Sequence, residues 1–320
     1  MSLMPQWASA MPFTTQDQAP LVRILGLPVP RSGVLLEPGD ASAEVRFEAT
    51  SNFVQEQIGT ETLILDGETW ETTMRLARGT TWFGRSVQWS VEIPWVVHSH
   101  GVLDSTIDNF HDAFRFPDGG RNAVPEDRFV YYYRRDGDTR LLLTSRQDGF
   151  GDLRVSVATP LIPARHAGEA TALNAELKVP TGNEDALIGG GSWDLSSWVA
   201  ATRRIEAGGY PMMVNANLGL MVGERAGLLG DIRNPLIAFA QAGISSRVWE
   251  KLELGVDLRA HTAAYRDTSM RALGSSALSL AFGGAVAIGS RGRFELALVE
   301  DLDGLASPDI TFHMAFSGQF

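Results

Sequence analysis

The chain has 320 residues, 44% apolar and 20% charged, with a formal net charge of -11 and no cysteine. That length suits one large domain or two ordinary ones, and the composition is that of a folded chain. The acidic balance argues against a nucleic-acid partner, the missing cysteines exclude disulfides and thiolate chemistry, and no run reaches the roughly 18–20 apolar residues of a membrane-spanning helix.

In chain order, "WASAMPFT" at 7–14 carries Ala8-Ser9-Ala10, the small-x-small pattern of a signal-peptidase site, with no apolar stretch before it. Residues 1–10 read as a signal-peptide remnant or a cloning scar. Residues 11–40 read as a periplasmic N-terminal segment. Within it, "APLVRILGLPVPRSG" is apolar, interrupted by proline and not alternating. Left free, Leu21, Ile24, Leu25 and Leu27 would be an exposed liability. Burial as a plug in a barrel mouth is favoured over a periplasmic tether.

From residue 41 to 320 the pattern has a period of two. Ser42, Glu44, Arg46 and Glu48 alternate with Ala43, Val45, Phe47 and Ala49; Ser86, Gln88, Ser90 and Glu92 alternate with Val87, Trp89, Val91 and Ile93. Strict alternation over such lengths means strands with one apolar and one polar face. The segments are 41–50, 61–78, 84–97, 127–135, 138–147, 151–162, 170–180, 193–204, 210–223, 234–246, 250–263, 276–289, 292–302 and 308–320. That gives about 14 strands, with 12 or 16 as alternatives, in an all-β, antiparallel, up-and-down transmembrane β-barrel. Asp66-Gly67 either bends one long strand or turns a hairpin. One stretch departs from the rule. In "LDSTIDNFHDAFRF", Leu103, Ile107, Phe110 and Phe114 fall at helical spacing, predicting a short amphipathic helix in an outer loop.

A soluble sandwich also alternates. Three features favour the membrane barrel. The segments run about 10–13 residues where soluble strands average about 5–6. Short turns such as "RDGD" and "EAGG" alternate with long polar loops. Aromatics including Trp82, Trp95, Tyr131, Tyr133, Trp249 and Tyr265 gather near segment ends, as in a headgroup belt. In that geometry the lumen is lined by Glu44, Arg46, Glu48, Glu71, Arg75, Arg134, Arg154, Glu176, Lys178, Glu253, Asp257, Arg259 and Glu295. These charges of both signs can neutralise one another, for instance Glu71 with Arg75, Glu176 with Lys178 and Arg293 with Glu295. The last segment, "ITFHMAFSGQF", would turn Ile310, Phe312, Met314, Phe316 and Phe320 to lipid and close the barrel against the first strand, leaving no edge.

Several stretches resemble an uncharacterised proteobacterial outer-membrane β-barrel family, a domain of unknown function: "PLVRILGLPVPRSGVLL", "LILDGETWETTMRLARG", "LDSTIDNFHDAFRFPDGGRN" and "GFGDLRVSV". The segment "ALNAELKVPTGNEDALIGGGSWDLS" is distantly similar to outer-membrane transporters of aromatic compounds and long-chain fatty acids. The resemblance implies outer-membrane lipid and the barrel assembly machinery as partners. It also implies a membrane insertion signal at Phe316 and Phe320, and names no substrate.

No GxSxG elbow, phosphate loop or HExxH motif occurs, and the six histidines are scattered. No catalytic or metal-ligating residue and no cofactor is assigned; His98 and His100 of "HSH" read as the polar start of a loop. The expected function is a channel or transporter for small, hydrophobic-leaning molecules, the solute unidentified, with a plugged or narrow lumen. A non-transporting structural barrel or a rim-site enzyme is the alternative.

Overall fold

The computed structural model describes residues 13–101, 128–162, 169–302, 308 and 310–320. Fifteen strands form one antiparallel sheet: β1 (Ala41–Ile58), β2 (Glu61–Trp82), β3 (Arg85–Ser99), β4 (Val130–Arg135), β5 (Asp138–Leu143), β6 (Gln147–Phe150), β7 (Leu153–Ile162), β8 (Ala170–Val179), β9 (Asp194–Ala207), β10 (Tyr210–Gly223), β11 (Leu236–Arg247), β12 (Leu252–His261), β13 (Ala277–Ile288), β14 (Gly292–Asp301) and β15 (Ile310–Gln319). Two one-turn helices, α1 (Pro20–Arg23) and α2 (Arg271–Gly274), are the helical content among the described residues. Neither could cross a membrane, which has no bearing on strands that do.

The sheet closes on itself. β15 pairs with β1 from Ser42↔Gln319 to Ser51↔Ile310, and the ring runs β1-β2-β3-β7-β8 and then in sequence order to β15. The ring has twelve strands. The count of fourteen is corrected by two segments, 127–135 and 138–147. These become β4 and β5, a hairpin that pairs with the far end of β2 above the ring instead of entering it. Periodicity cannot separate the two cases, because a hairpin standing on the rim alternates as a wall strand does.

Gly67 sets the boundary between wall and hairpin. β2 is one continuous 22-residue strand. Its partner is β4 over Thr62–Asp66 and β3 from Glu68 onward. Gly67 sits at that change of partner with a φ of 148°, and a Cβ there would strike the Phe129 ring 2.6 Å away. Asp66-Gly67 therefore bends a long strand and turns no hairpin.

The turns at one end are tight. Phe83-Gly84 and Gly208-Gly209 both take positive φ at each position, the type I′ geometry that suits the strand twist. Longer connections, 180–193, 224–235 and 262–276, lie at the other end. By the asymmetry of outer-membrane barrels, the first end is periplasmic and the second extracellular. The expected helix over 103–114 lies outside the described residues.

The wall sorts by parity. Trp89, Val91 and Ile93 are exposed while Ser90 and Glu92 are buried; Leu218, Leu220, Leu254, Leu258, Leu296, Met314 and Phe316 are exposed on neighbouring strands. An apolar outside with a charged inside is the reverse of a soluble fold, and it places the chain in the bacterial outer membrane. Trp82, Phe83, Tyr210 and Trp249 stand exposed at the short-turn end, as a headgroup belt requires. Tyr131, Tyr133 and Tyr265 do not join that belt. They are buried in an apolar cluster above the rim, with Leu63, Leu65, Leu141 and Leu143 of the β2–β4–β5 extension and Leu187, Leu229, Ile232 and Leu273 of the outer loops.

Val91→Arg puts a charge on the lipid face and should lower stability by about 2–4 kcal/mol if it lies near the midplane. Spin labels at 89 and 91 should respond to a lipid-soluble quencher, and labels at 88 and 90 should not. A response with the opposite parity would reject the orientation.

Candidate functional site: the barrel lumen

A barrel of about eight strands is filled by its own side chains, and one of 16–18 leaves an aqueous channel. Twelve strands fall between, so the contents of the lumen decide what the molecule can do. Residues 13–36 lie there. They are buried almost throughout, and their polar contacts are with inward side chains of the wall.

The segment forms an inverted U. The rising arm begins at Phe13, whose amide donates to Asp257 at 2.8 Å while its carbonyl accepts from Arg259 at 2.9 Å. The Thr14 amide donates to Glu295, Asp17 pairs with His261 at 3.1 Å, and Gln18 donates to Glu48. α1 makes the bend. Leu21, Ile24, Leu25 and Leu27 are all buried there and join the apolar cluster of the outer loops. The Tyr265 hydroxyl, its pKa raised by burial, donates to the Leu21 carbonyl at 2.6 Å.

The falling arm, 24–36, has Pro28 and Pro30 and cannot pair as a strand. Its backbone groups are satisfied by the wall instead. Arg154 donates to the carbonyls of Leu27 and Leu25, Ser196 to that of Gly26, and the amides of Arg31, Gly33 and Leu36 donate to Asn217, Thr202 and Gln88.

Charge is settled between arm and wall. Glu92 is 3% exposed and faces three guanidiniums: Arg46 at 2.9 Å, Arg75 at 3.4 Å, and Arg31 of the segment in close contact. Arg31 and Arg46 also meet Glu44, and Arg23 of α1 pairs with Glu71 at 3.1 Å. Arg154 pairs with Glu176 at 3.2 Å. Higher up, Lys178 pairs with Asp152 and Asp194, and Arg233 meets Asp194. On the adjoining strands β15 and β14, His313 sits between Glu48 and Glu295, and Arg293 between Glu253 and Glu295.

Of the lumen residues inferred from sequence, Glu44, Arg46, Glu48, Glu71, Arg75, Arg154, Glu176, Lys178, Asp257, Arg259 and Glu295 are buried at inward positions, and Glu253 is partly buried. Arg134 is a correction. It lies on β4, outside the ring, exposed, with its Nε donating to the Gly137 carbonyl. Two of the expected pairs along a strand also change. Arg75 meets Glu92, directly opposite it on β3, instead of Glu71 four residues along its own strand, and Glu176 and Lys178 turn to Arg154 and to Asp152 and Asp194; Arg293 with Glu295 keeps its expected partner. Sequence reasoning missed Arg23, Arg31, Glu92, Asp194, Arg233 and His313. Glu92 and His313 were visible by parity. Arg23 and Arg31, the cations of an apolar segment, were the available sign that it needed acidic walls.

No group of His, Asp and Glu suited to a metal occurs among the described residues. His98 is fully buried, with Nδ1 3.0 Å from the Thr69 hydroxyl and Nε2 3.0 Å from the Leu187 carbonyl, so both nitrogens are occupied by the fold.

The family model described as "Protein of unknown function (DUF3187)" matches residues 3–320. The chain belongs to this family. No curated protein matches this DUF3187 chain. Among solved structures it is similar to the COG4313 outer membrane channel from Pseudomonas putida F1, at 12% identity and a TM-score of 0.59 over 89% of this chain and 97% of that one. It is similar also to the NanC porin (7% identity, TM-score 0.45, 86% and 98% covered) and to the CymD monoaromatic hydrocarbon channel (11%, 0.41, 98% and 94%). The first likeness establishes the shared barrel fold; the other two superimpose too loosely to carry an argument.

Replacing Glu92 with Gln leaves Arg31, Arg46 and Arg75 without their common carboxylate. The cost should be about 3–5 kcal/mol, as for a buried pair losing one partner. With Arg31→Ala added, the two costs should fall well short of additive in denaturant unfolding of the refolded barrel. Strict additivity would mean that Arg31 and Glu92 do not interact.

Proposed function

We propose that this DUF3187 barrel is an outer-membrane channel for small, hydrophobic-leaning molecules, closed at rest by residues 11–40 acting as a plug. The observation that carries this reading is the lumenal segment itself. It has one-turn α1 as its regular structure, and its backbone hangs on wall side chains. Such a segment can shift or leave without breaking a single strand pair, so the barrel can open while the fold persists. The solved structure that shares the fold is named a channel, which supports the reading.

Each end of the closed state has its own chemistry. Leu21, Ile24, Leu25 and Leu27 hold the outer end through the apolar cluster under the loops. Arg31 with Glu44 and Glu92 holds the lower half. An apolar outer cap admits hydrophobic solutes more readily than ions. The lumen charges are largely paired, so once open the channel builds no strong single-sign field and selects weakly among small ions. Phe316 and Phe320, exposed beside the closing seam with β1, would serve as the insertion signal read by the barrel assembly machinery.

In a planar bilayer the intact chain should show small or no conductance. Removing residues 1–36 should raise it severalfold with little preference between potassium and chloride. A large steady conductance in the intact chain contradicts the plug. Silence after truncation, in both conductance and solute flux, contradicts the channel.

A further inference from the structure

The plug does not fill the lumen evenly. Between its two arms and the β9–β13 side of the wall lies a cavity of about 50 Å³. Thr15, Gln16 and Asp17 form one side and Leu27, Pro28, Val29 and Pro30 the other; Trp198, Phe239, Arg259 and Ala277 are among the wall residues. Gly219 lets the two aromatic wall residues close in beside each other. A Cβ at that position would strike both the Trp198 side chain and the Phe239 ring, whose centroids stand 6.3 Å apart. At roughly 10–15 Å³ of such space per water, it holds about three to five waters, or one short organic molecule in their place.

The polar groups facing this space are unbalanced. Trp198 is 3% exposed and Arg259 9%. Among the described residues the Trp198 Nε1–H has no hydrogen-bond partner, and neither do the Nε–H and Nη1–H of Arg259, whose Nη2 is engaged by Phe13 and Asp257. The nearby carboxylates are committed: Asp17 to His261, and Asp257 to the Phe13 amide and Arg259. The Gln16 Oε1 is one unfilled acceptor in the same lining, but the unfilled donors outnumber it and one of them is cationic, which calls for a ligand that brings acceptors. The rest of the lining is mixed: Leu27, Val29, Phe239 and Ala277 are apolar, and Gln16, Asn217, Gln241 and Ser279 are polar.

We propose that this cavity is a binding site for a short-chain monocarboxylate. Its carboxylate lies on the free edge of the Arg259 guanidinium, with the Trp198 indole N–H as a second donor, and its alkyl end against Leu27, Val29 and Phe239. A neutral alcohol of similar size offers the free edge of the guanidinium a weaker acceptor than a carboxylate does, and a dicarboxylate brings a second charge for which the lining holds no second unfilled cation, so both are disfavoured. As a statement about the transported solute this rests on the channel reading. As a statement about binding it does not, and binding is what the test measures.

The test is saturation-transfer NMR on the full-length barrel refolded in detergent, with propionate and 1-butanol as probes. Propionate should bind and 1-butanol should bind far more weakly. Arg259→Gln should weaken propionate by at least about tenfold, the size of one charge-assisted hydrogen bond. Because Arg259 also holds Phe13, Ala277→Leu provides a second arm: it fills the cavity from β13, opposite His261, while leaving Arg259 and its contacts to Phe13 and Asp257 in place, and should abolish binding. No propionate signal, equal binding of the two probes, or propionate binding undiminished in Ala277→Leu would each overturn the site. A truncated barrel that conducts while the intact one ignores propionate keeps the channel and loses this site; propionate binding in a barrel that never conducts does the reverse.

Discussion

Glu92 is the buried carboxylate on which the lumen turns. Lipid outside forces the polar residues of every wall strand inward. In a ring of twelve strands those residues are too far across to neutralise one another everywhere. Arg46 and Arg75 both reach Glu92 from neighbouring strands, and Arg31 reaches it from the segment inside. A charge taken out of water needs partners to within a few ångströms. The segment brings Arg23 and Arg31 to Glu71, Glu44 and Glu92, and it lays carbonyls against Arg154, whose charge Glu176 alone would leave half-served. Wall and segment are therefore one electrostatic object, although they share no strand pairing.

The same arrangement explains why the segment looks as it does. Pro28 and Pro30 keep it from joining the sheet, where it would have become a permanent strand. Its leucines gather at the bend, where the outer loops and the β4–β5 hairpin form an apolar cover. Over 25–36 its backbone hydrogen bonds to the wall are with side chains, each replaceable by water if the segment moves. Removal would expose charged wall and apolar cap together. Displacing the segment therefore has a cost set by those two sets of contacts.

Much of the fold was legible because lipid enforces a clean period of two. Trp89, Val91 and Ile93 against Ser90 and Glu92 read the wall without ambiguity, and the pairing of 310–320 with 41–51 followed from the need to leave no edge. What parity could not tell was whether an alternating run stands in the ring or on its rim. Arg134, Tyr131 and Tyr133 were misplaced for that reason, since β4 alternates like a wall strand but faces a cap of loops. The partners of the lumen charges were illegible for a different reason. They depend on stagger between strands and on a segment distant in sequence: Arg31 finds Glu44 and Glu92, and Phe13 finds Asp257, over separations no local pattern records.

The central claim is that the N-terminal segment lies inside the barrel against β9. Ser32 and Thr202 test it most directly, because their hydroxyl oxygens stand 3.1 Å apart and the chain has no cysteine to interfere. With Ser32→Cys and Thr202→Cys together, a disulfide should form without added catalyst in isolated outer membranes, seen as a gel shift reversed by reductant. Each single variant should be slow to react with a bulky aqueous maleimide. A double variant that stays reduced under oxidant, with both thiols open to the maleimide, would contradict the account.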